Sequence, residues 1–329
     1  MRALAPLFVD RTERAGWALI AAVMAASLAW LPFAPFGLAW WSLLKAMLVA
    51  CGLIGIAWFY TARRPEPGIA AAMVHVAQMT VFTAWGSVLS YLIASLGFPF
   101  WDETLHRVDL ALGLDWRAYL AGVNDRPLLG VIYTVAYQSL IPQMIVLIAA
   151  LSLSGRVEAV RRMMFAAILA GLATIIGSGL MPAMAMFVHL GLTPADFPNL
   201  DPAAAFVHVR DMTALRAGEL ELFDVAKAEG IVTFPSYHAA LGLILLVAGW
   251  SHPWLRWPFL TLNLLLIAAT PIDGGHYFVD VAAGLAIAWA ALALAARLGR
   301  TVPSPAQTSA AGAAIPVSTS ARRQAAAAS

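Results

Sequence analysis

Charge is scarce in this chain and cysteine is almost missing. Asp, Glu, Lys and Arg make up 12% of its 329 residues, while 61% are hydrophobic. With a positive mean hydropathy, that balance excludes an ordinary soluble domain. The single cysteine, Cys51, lies in an apolar stretch, which excludes a disulfide within the chain and any cysteine metal cluster. Lysine occurs only at Lys45 and Lys227, and there is no basic run, so nothing points to nucleic acid as a partner. No HExxH sequence is present, which removes the simplest zinc-hydrolase signature. The first ten residues lack a short apolar region ending in a cleavage site, so the run from Trp17 onward reads as an uncleaved first span.

What the chain has in abundance is apolar runs long enough to cross a bilayer, roughly 17–25 residues each. They fall at approximately 16–36, 38–60, 69–97, 128–152, 163–188, 234–250, 254–271 and 276–297, and predict an all-α membrane bundle of about eight spans. Three units are expected: an N-terminal pair of spans over 1–65, a six-helix catalytic core over 66–300, and a disordered Ala-, Ser-, Thr- and Pro-rich tail over 301–329. The polar stretch 98–127 is expected to form a short amphipathic helix at the membrane interface. The stretch 189–233 is long for a loop, which marks it as functional or disordered.

Arginine positions orient the bundle. Arg2, Arg11, Arg14, Arg63, Arg64, Arg156, Arg161, Arg162, Arg256, Arg297 and Arg300 all fall on one side of alternating spans. That side is expected to be the cytoplasm, with both termini there. The stretches 98–127 and 189–233, with most of the acidic residues, then face the periplasm of a cell inner membrane.

Chemistry concentrates in two short runs, Phe234-Pro-Ser-Tyr-His238 and Gly274-Gly-His-Tyr-Phe-Val-Asp280, each opening an apolar helix. His276 and Asp280 are four apart and share one helix face. An Asp there accepts a hydrogen bond from one imidazole nitrogen and leaves the other as nucleophile or base. His238 supplies a second proton-transfer group. Pro235 and Ser236 form a helix start, whose N–H groups and dipole favour an anion. Together these groups point to phosphoryl transfer at His276, Asp280 and His238. Two other readings use the same residues: a hydrogen-bonded pair closing a helix end, or two His and a carboxylate holding Zn or Fe. A transporter or lipid-binding scaffold without catalysis is the remaining class.

Read together, the runs resemble the type 2 phosphatidic acid phosphatase superfamily, whose second motif is Pro-Ser-x-His and whose third ends His-x-x-x-Asp. Thr233 to His238 and His276 to Asp280 are most similar to its inositol phosphorylceramide synthase branch of the fungal aureobasidin-resistance type, over roughly residues 69–298. Two departures stand out. The Arg expected six residues before the third-motif His is Thr270, and the first motif, Lys with Arg-Pro following, is absent. Phosphate-binding cations must then come from Arg210, Arg216 or Lys227. Arg216 is favoured because its Leu-Arg-Ala-Gly context looks like that branch's pre-motif segment.

The resemblance implies a membrane lipid phosphatase or phosphotransferase without cofactor or metal. His276 would be the nucleophile, Asp280 its support and His238 the acid. Arg216, Ser236 and Lys227 would bind phosphate. The substrate would be a lipid phosphate or phospholipid, and the acceptor either water or an alcohol such as inositol.

Overall fold

The structure, a computed structural model, describes residues 10–202 and 204–299. The expected tail lies outside the described residues. Among the described residues thirteen α-helices run in chain order: α1 (Arg11–Trp30), α2 (Trp40–Ala62), α3 (Pro67–Ala94), α4 (Asp102–Ala111), α5 (Trp116–Asn124), α6 (Pro127–Gln138), α7 (Leu140–Leu153), α8 (Val157–Leu180), α9 (Met186–His189), α10 (Ala204–Ala217), α11 (Tyr237–Trp250), α12 (Arg256–Asp273) and α13 (Phe278–Leu298). The only strands among the described residues are β1 (Gly37–Leu38) and β2 (Leu222–Phe223), a two-residue parallel pair.

Local chemistry sets the helix starts. The Asp10 carboxylate accepts from the N–H groups of Thr12 (2.8 Å) and Glu13 (3.3 Å) and opens α1. Pro67 and Pro127 stand in the first turns of α3 and α6, where a missing N–H costs nothing.

Helices occupy all eight positions read as spans. Five of them, α1 with the turn after it, α2, α3, α8 and α13, are long and apolar enough to cross a membrane, and α6 with α7 makes a sixth bent by 50°. The other two are the 14-residue α11 and the 18-residue α12. The bend has a cause in the sequence. Pro142, in the first turn of α7, cannot donate to Gln138, and its ring crowds that carbonyl. Likewise α8 ends at Leu180, short of the expected 188, just before Pro182.

The bundle has two distinct ends. At one, Arg161 of α8 pairs with Glu13 of α1 at 3.3 Å, and Gly68 of α3 faces the Ser152 carbonyl of α7 closely enough that a Cβ would sit 2.8 Å from it. At the other end gather the α3–α4 connection, the segment after α8, and the starts of α11 and α13. There Trp101 N donates to Pro182 O (2.8 Å) and Met186 N to Gly275 O (2.8 Å).

An apolar layer covers this second end. Leu105 and Trp116, from α4 and α5, pack with Phe187, Phe197, Ala205, Ile272 and Tyr277. The stretch read as an interfacial helix is therefore two helices, whose inner faces close over the bundle. The stretch 189–233 is likewise folded around α10, and β2 ties it to the α1–α2 connection.

Candidate active site

The starts of α11 and α13 meet at the covered end of the bundle. Ser236 N donates to the Asp280 carbonyl at 3.1 Å. A Cβ added to Gly284 would overlap the Ser236 carbonyl oxygen, so only glycine lets the two helices approach this closely. Ser236 caps α11, its Oγ accepting from Ala239 N at 3.3 Å.

This contact lines up three buried side chains. His276 Nδ1 lies 3.3 Å from Asp280 Oδ2, and His276 Nε2 lies 3.3 Å from Ser236 Oγ. Ser236 and Asp280 are fully buried and His276 is 3% exposed. A carboxylate only accepts, so the Asp280 contact puts the proton on Nδ1 and leaves a lone pair on Nε2. Asp280 Oδ2 is also held by the N–H of Tyr277 (3.1 Å), while its Oδ1 has no partner.

His238, in the first turn of α11, stacks on Tyr137 of α6, with ring centroids 4.4 Å apart and planes 13° apart. A Cβ built on Gly274 would stand 2.7 Å from both the Tyr137 hydroxyl and His276 Cδ2. Tyr137 therefore bridges the surroundings of the two histidines, and Gly274 leaves room for both. The side chain of Thr270, six residues before His276, turns back to the Leu266 carbonyl at 2.8 Å and is fully buried.

The supporting groups are ones that short motifs do not reveal. Trp116 Nε1 donates to the His276 carbonyl (3.2 Å). The Tyr277 hydroxyl donates to Asp102 Oδ1 (2.8 Å), and Asp102 also accepts from Met184 N (2.9 Å). Asp109 accepts from the N–H groups of Phe278 (2.8 Å) and Val279 (2.9 Å), capping α13 from outside. Burial pushes the Asp109 carboxyl up from its ordinary value, and those two N–H groups oppose the shift. Asp102, Leu105 and Asp109 are the buried residues of α4. Acids on the inward stripe of an amphipathic helix were the available sequence signal.

The remaining candidates lie elsewhere. The Arg216 guanidinium sits over the Phe100 ring, 4.6 Å from its centroid, with Nε and Nη2 buried and without partners. Burial lowers its pKa, though a guanidinium stays charged. Lys227 is exposed at the end of a short turn. Nearer the histidines is His208 of α10, whose Nε2 meets the Met184 carbonyl. Burial draws its pKa below the ordinary histidine value, and it feels the charge of His276 and Asp102. Arg216 is two turns further along α10, about 12 Å at 1.5 Å per residue. Arg210, the third candidate cation, is exposed and pairs with Asp211 at 3.1 Å. Among the described residues no group of three or more His, Cys, Asp or Glu could hold a metal ion.

No curated protein and no solved structure matches the chain. The model of one protein family, described as the PAP2 superfamily, matches residues 103–294. The match runs from the first turn of α4 to near the end of α13, and so spans the covering helices and both histidine runs. With more than half of its length inside that match, the chain is a member of the PAP2 superfamily.

Proposed function

We propose that this protein removes or transfers the phosphate-containing head group of a lipid through a phosphohistidine at His276. The reading rests on one observation: the ring of His276 is held at both nitrogens, by Asp280 on Nδ1 and Ser236 on Nε2, at the buried start of two helices. His276 Nε2 attacks phosphorus, and the bond to the lipid alkoxide breaks. Protonated His238 gives its proton to that alkoxide. Neutral His238 then takes a proton from the acceptor, whose oxygen attacks the phosphohistidine and frees His276.

Asp280 stabilises the ring as positive charge grows on it. Ser236 and the N–H groups of the first turn of α11 face the phosphoryl oxygens. Arg216, with two guanidinium nitrogens unfilled, is a contact for the outer part of an anionic head group. Lys227, exposed on the same loop, draws that group in. The Arg distribution supports a periplasmic site in a cell inner membrane, with both termini cytoplasmic.

The acceptor separates two outcomes, water for a phosphatase and an alcohol for a transferase. Thr270 in place of Arg fits the inositol phosphorylceramide synthase branch, and both acceptors are compatible with it. The test is purified protein with a panel of lipid phosphates and phosphodiesters, each with and without inositol. Release of inorganic phosphate regardless of alcohol would establish a phosphatase. A new phosphodiester formed only with the alcohol would establish a transferase, and inertness on the whole panel would refute both.

A second reading has its own observation. Asp280, His276 and Ser236 stand in the order of a Ser-His-Asp triad, with both links at 3.3 Å. In that case Ser236 Oγ is the nucleophile and His276 its base. The two readings differ in the bond formed, phosphorus to nitrogen or phosphorus to oxygen.

A further inference from the structure

The end of the bundle opposite the histidines holds a second polar site that the phosphoryl chemistry does not use. A cleft of about 340 Å³ opens there between α1, the end of α2, the start of α3 and the start of α8. Its polar lining is Glu13, His75 and Arg161 with Tyr60 and Thr61, and the Thr61 hydroxyl is already given to the Ala57 carbonyl at 2.8 Å. Glu13 is 4% exposed and His75 is 1% exposed, and ionisable groups buried at the edge of a membrane bundle are costly without a task.

Their hydrogen-bonding capacity is unfilled. Arg161 Nε and Glu13 Oε2 form an ion pair at 3.3 Å, but neither atom makes a hydrogen bond. His75 Nδ1 contacts the Ala71 carbonyl at 2.6 Å. That oxygen only accepts, so Nδ1 carries the proton and the neutral ring presents a lone pair at Nε2, which has no partner. The cleft therefore offers two buried acceptors and one cationic donor, with the Tyr60 hydroxyl on the same lining. Its complement carries N–H donors beside an anionic oxygen.

We propose that this cleft binds a primary ammonium joined to a phosphate, the head group of an aminophospholipid in the leaflet at that end of the bundle. The ammonium meets Glu13 and His75, and a phosphate oxygen meets Arg161. Ala70, Val74 and Val157 give the rest of the cleft an apolar wall, suited to the start of an acyl chain. A quaternary ammonium has no N–H and leaves both acceptors unfilled, so the site discriminates between the two head groups.

The test uses full-length protein reconstituted in vesicles of equal phosphatidylethanolamine and phosphatidylcholine, then released in mild detergent. Native mass spectrometry reads the lipids retained. The wild type is expected to retain the primary-amine lipid over the choline lipid by roughly ten- to a hundredfold, the range that charged hydrogen bonds supply. Glu13→Gln and His75→Leu should bring that ratio toward one. Ala71→Leu fills the cleft without touching its polar groups, and should lose the retained lipid even if the polar variants fail to fold. Equal retention of both lipids by the wild type, or a preference unchanged in Ala71→Leu, would overturn the proposal. A parallel arm adds soluble phosphoethanolamine. Continued retention of the diacyl species supports the lipid as source, and its replacement by the free head group would refute it.

Discussion

His238 carries the sharpest residue-level expectation, because its role depends on the leaving group. His238→Ala should lose about 10²–10⁴-fold in turnover of a lipid substrate, the usual worth of general acid help. With a nitrophenyl phosphate, whose leaving group needs little protonation, the same variant should recover much of that loss. Equal losses on both substrates would count against His238 as the acid. Asp280→Asn keeps the ring in place but weakens its support, and its rate should fall between wild type and His276→Ala.

His238, His276, Asp280 and Ser236 were legible because each pair lies within five residues at a helix start. Their partners were not. Tyr277 meets Asp102 across 175 positions, and a contact at that separation leaves no local period in the sequence. The sequence context of Arg216 says nothing of where its side chain goes, and its guanidinium lies over Phe100 rather than against the histidines.

Among the elements, the approach of α13 to the start of α11 sets the geometry of the site. Gly284→Ala should disturb it directly, since the added methyl meets the backbone of Ser236. Overpacking of this kind costs about 1–3 kcal/mol, so both the melting temperature in detergent and the activity should fall. Gly52 of α2 has nothing within 4 Å of a built Cβ, and Gly52→Ala should lower neither, since Ala favours a helix interior over Gly. Equal tolerance at the two positions would contradict the packing described.

A different element, α4, acts through its caps. Asp109→Ala would leave the part-buried N–H groups of Phe278 and Val279 without their acceptor, at about 1–3 kcal/mol, read as a lowered melting temperature. Helix positions were legible from apolar runs alone, but their ends were not. Pro142 and Pro182 cut α6–α7 and α8 where hydropathy continues, and the amphipathic pattern of 98–127 did not say which surface α4 and α5 would cover.

For the whole molecule, the Arg distribution predicts topology. Reporters fused within 98–127 and 189–233 should read as periplasmic, and those after Arg64 or Arg162 as cytoplasmic. The structure gathers the first two segments at the histidine end of the bundle, so a cytoplasmic signal from 189–233 would move the whole site to the other side.

The central claim is a covalent bond between phosphorus and His276, and rapid-quench trapping tests it most directly. Protein mixed with labelled lipid phosphate should yield a labelled enzyme that is stable in base and lost in acid, with the label mapped to His276. None should form in His276→Ala, while Ser236→Ala should still form it. An acid-stable label mapped to Ser236, or label persisting in His276→Ala, would contradict the account.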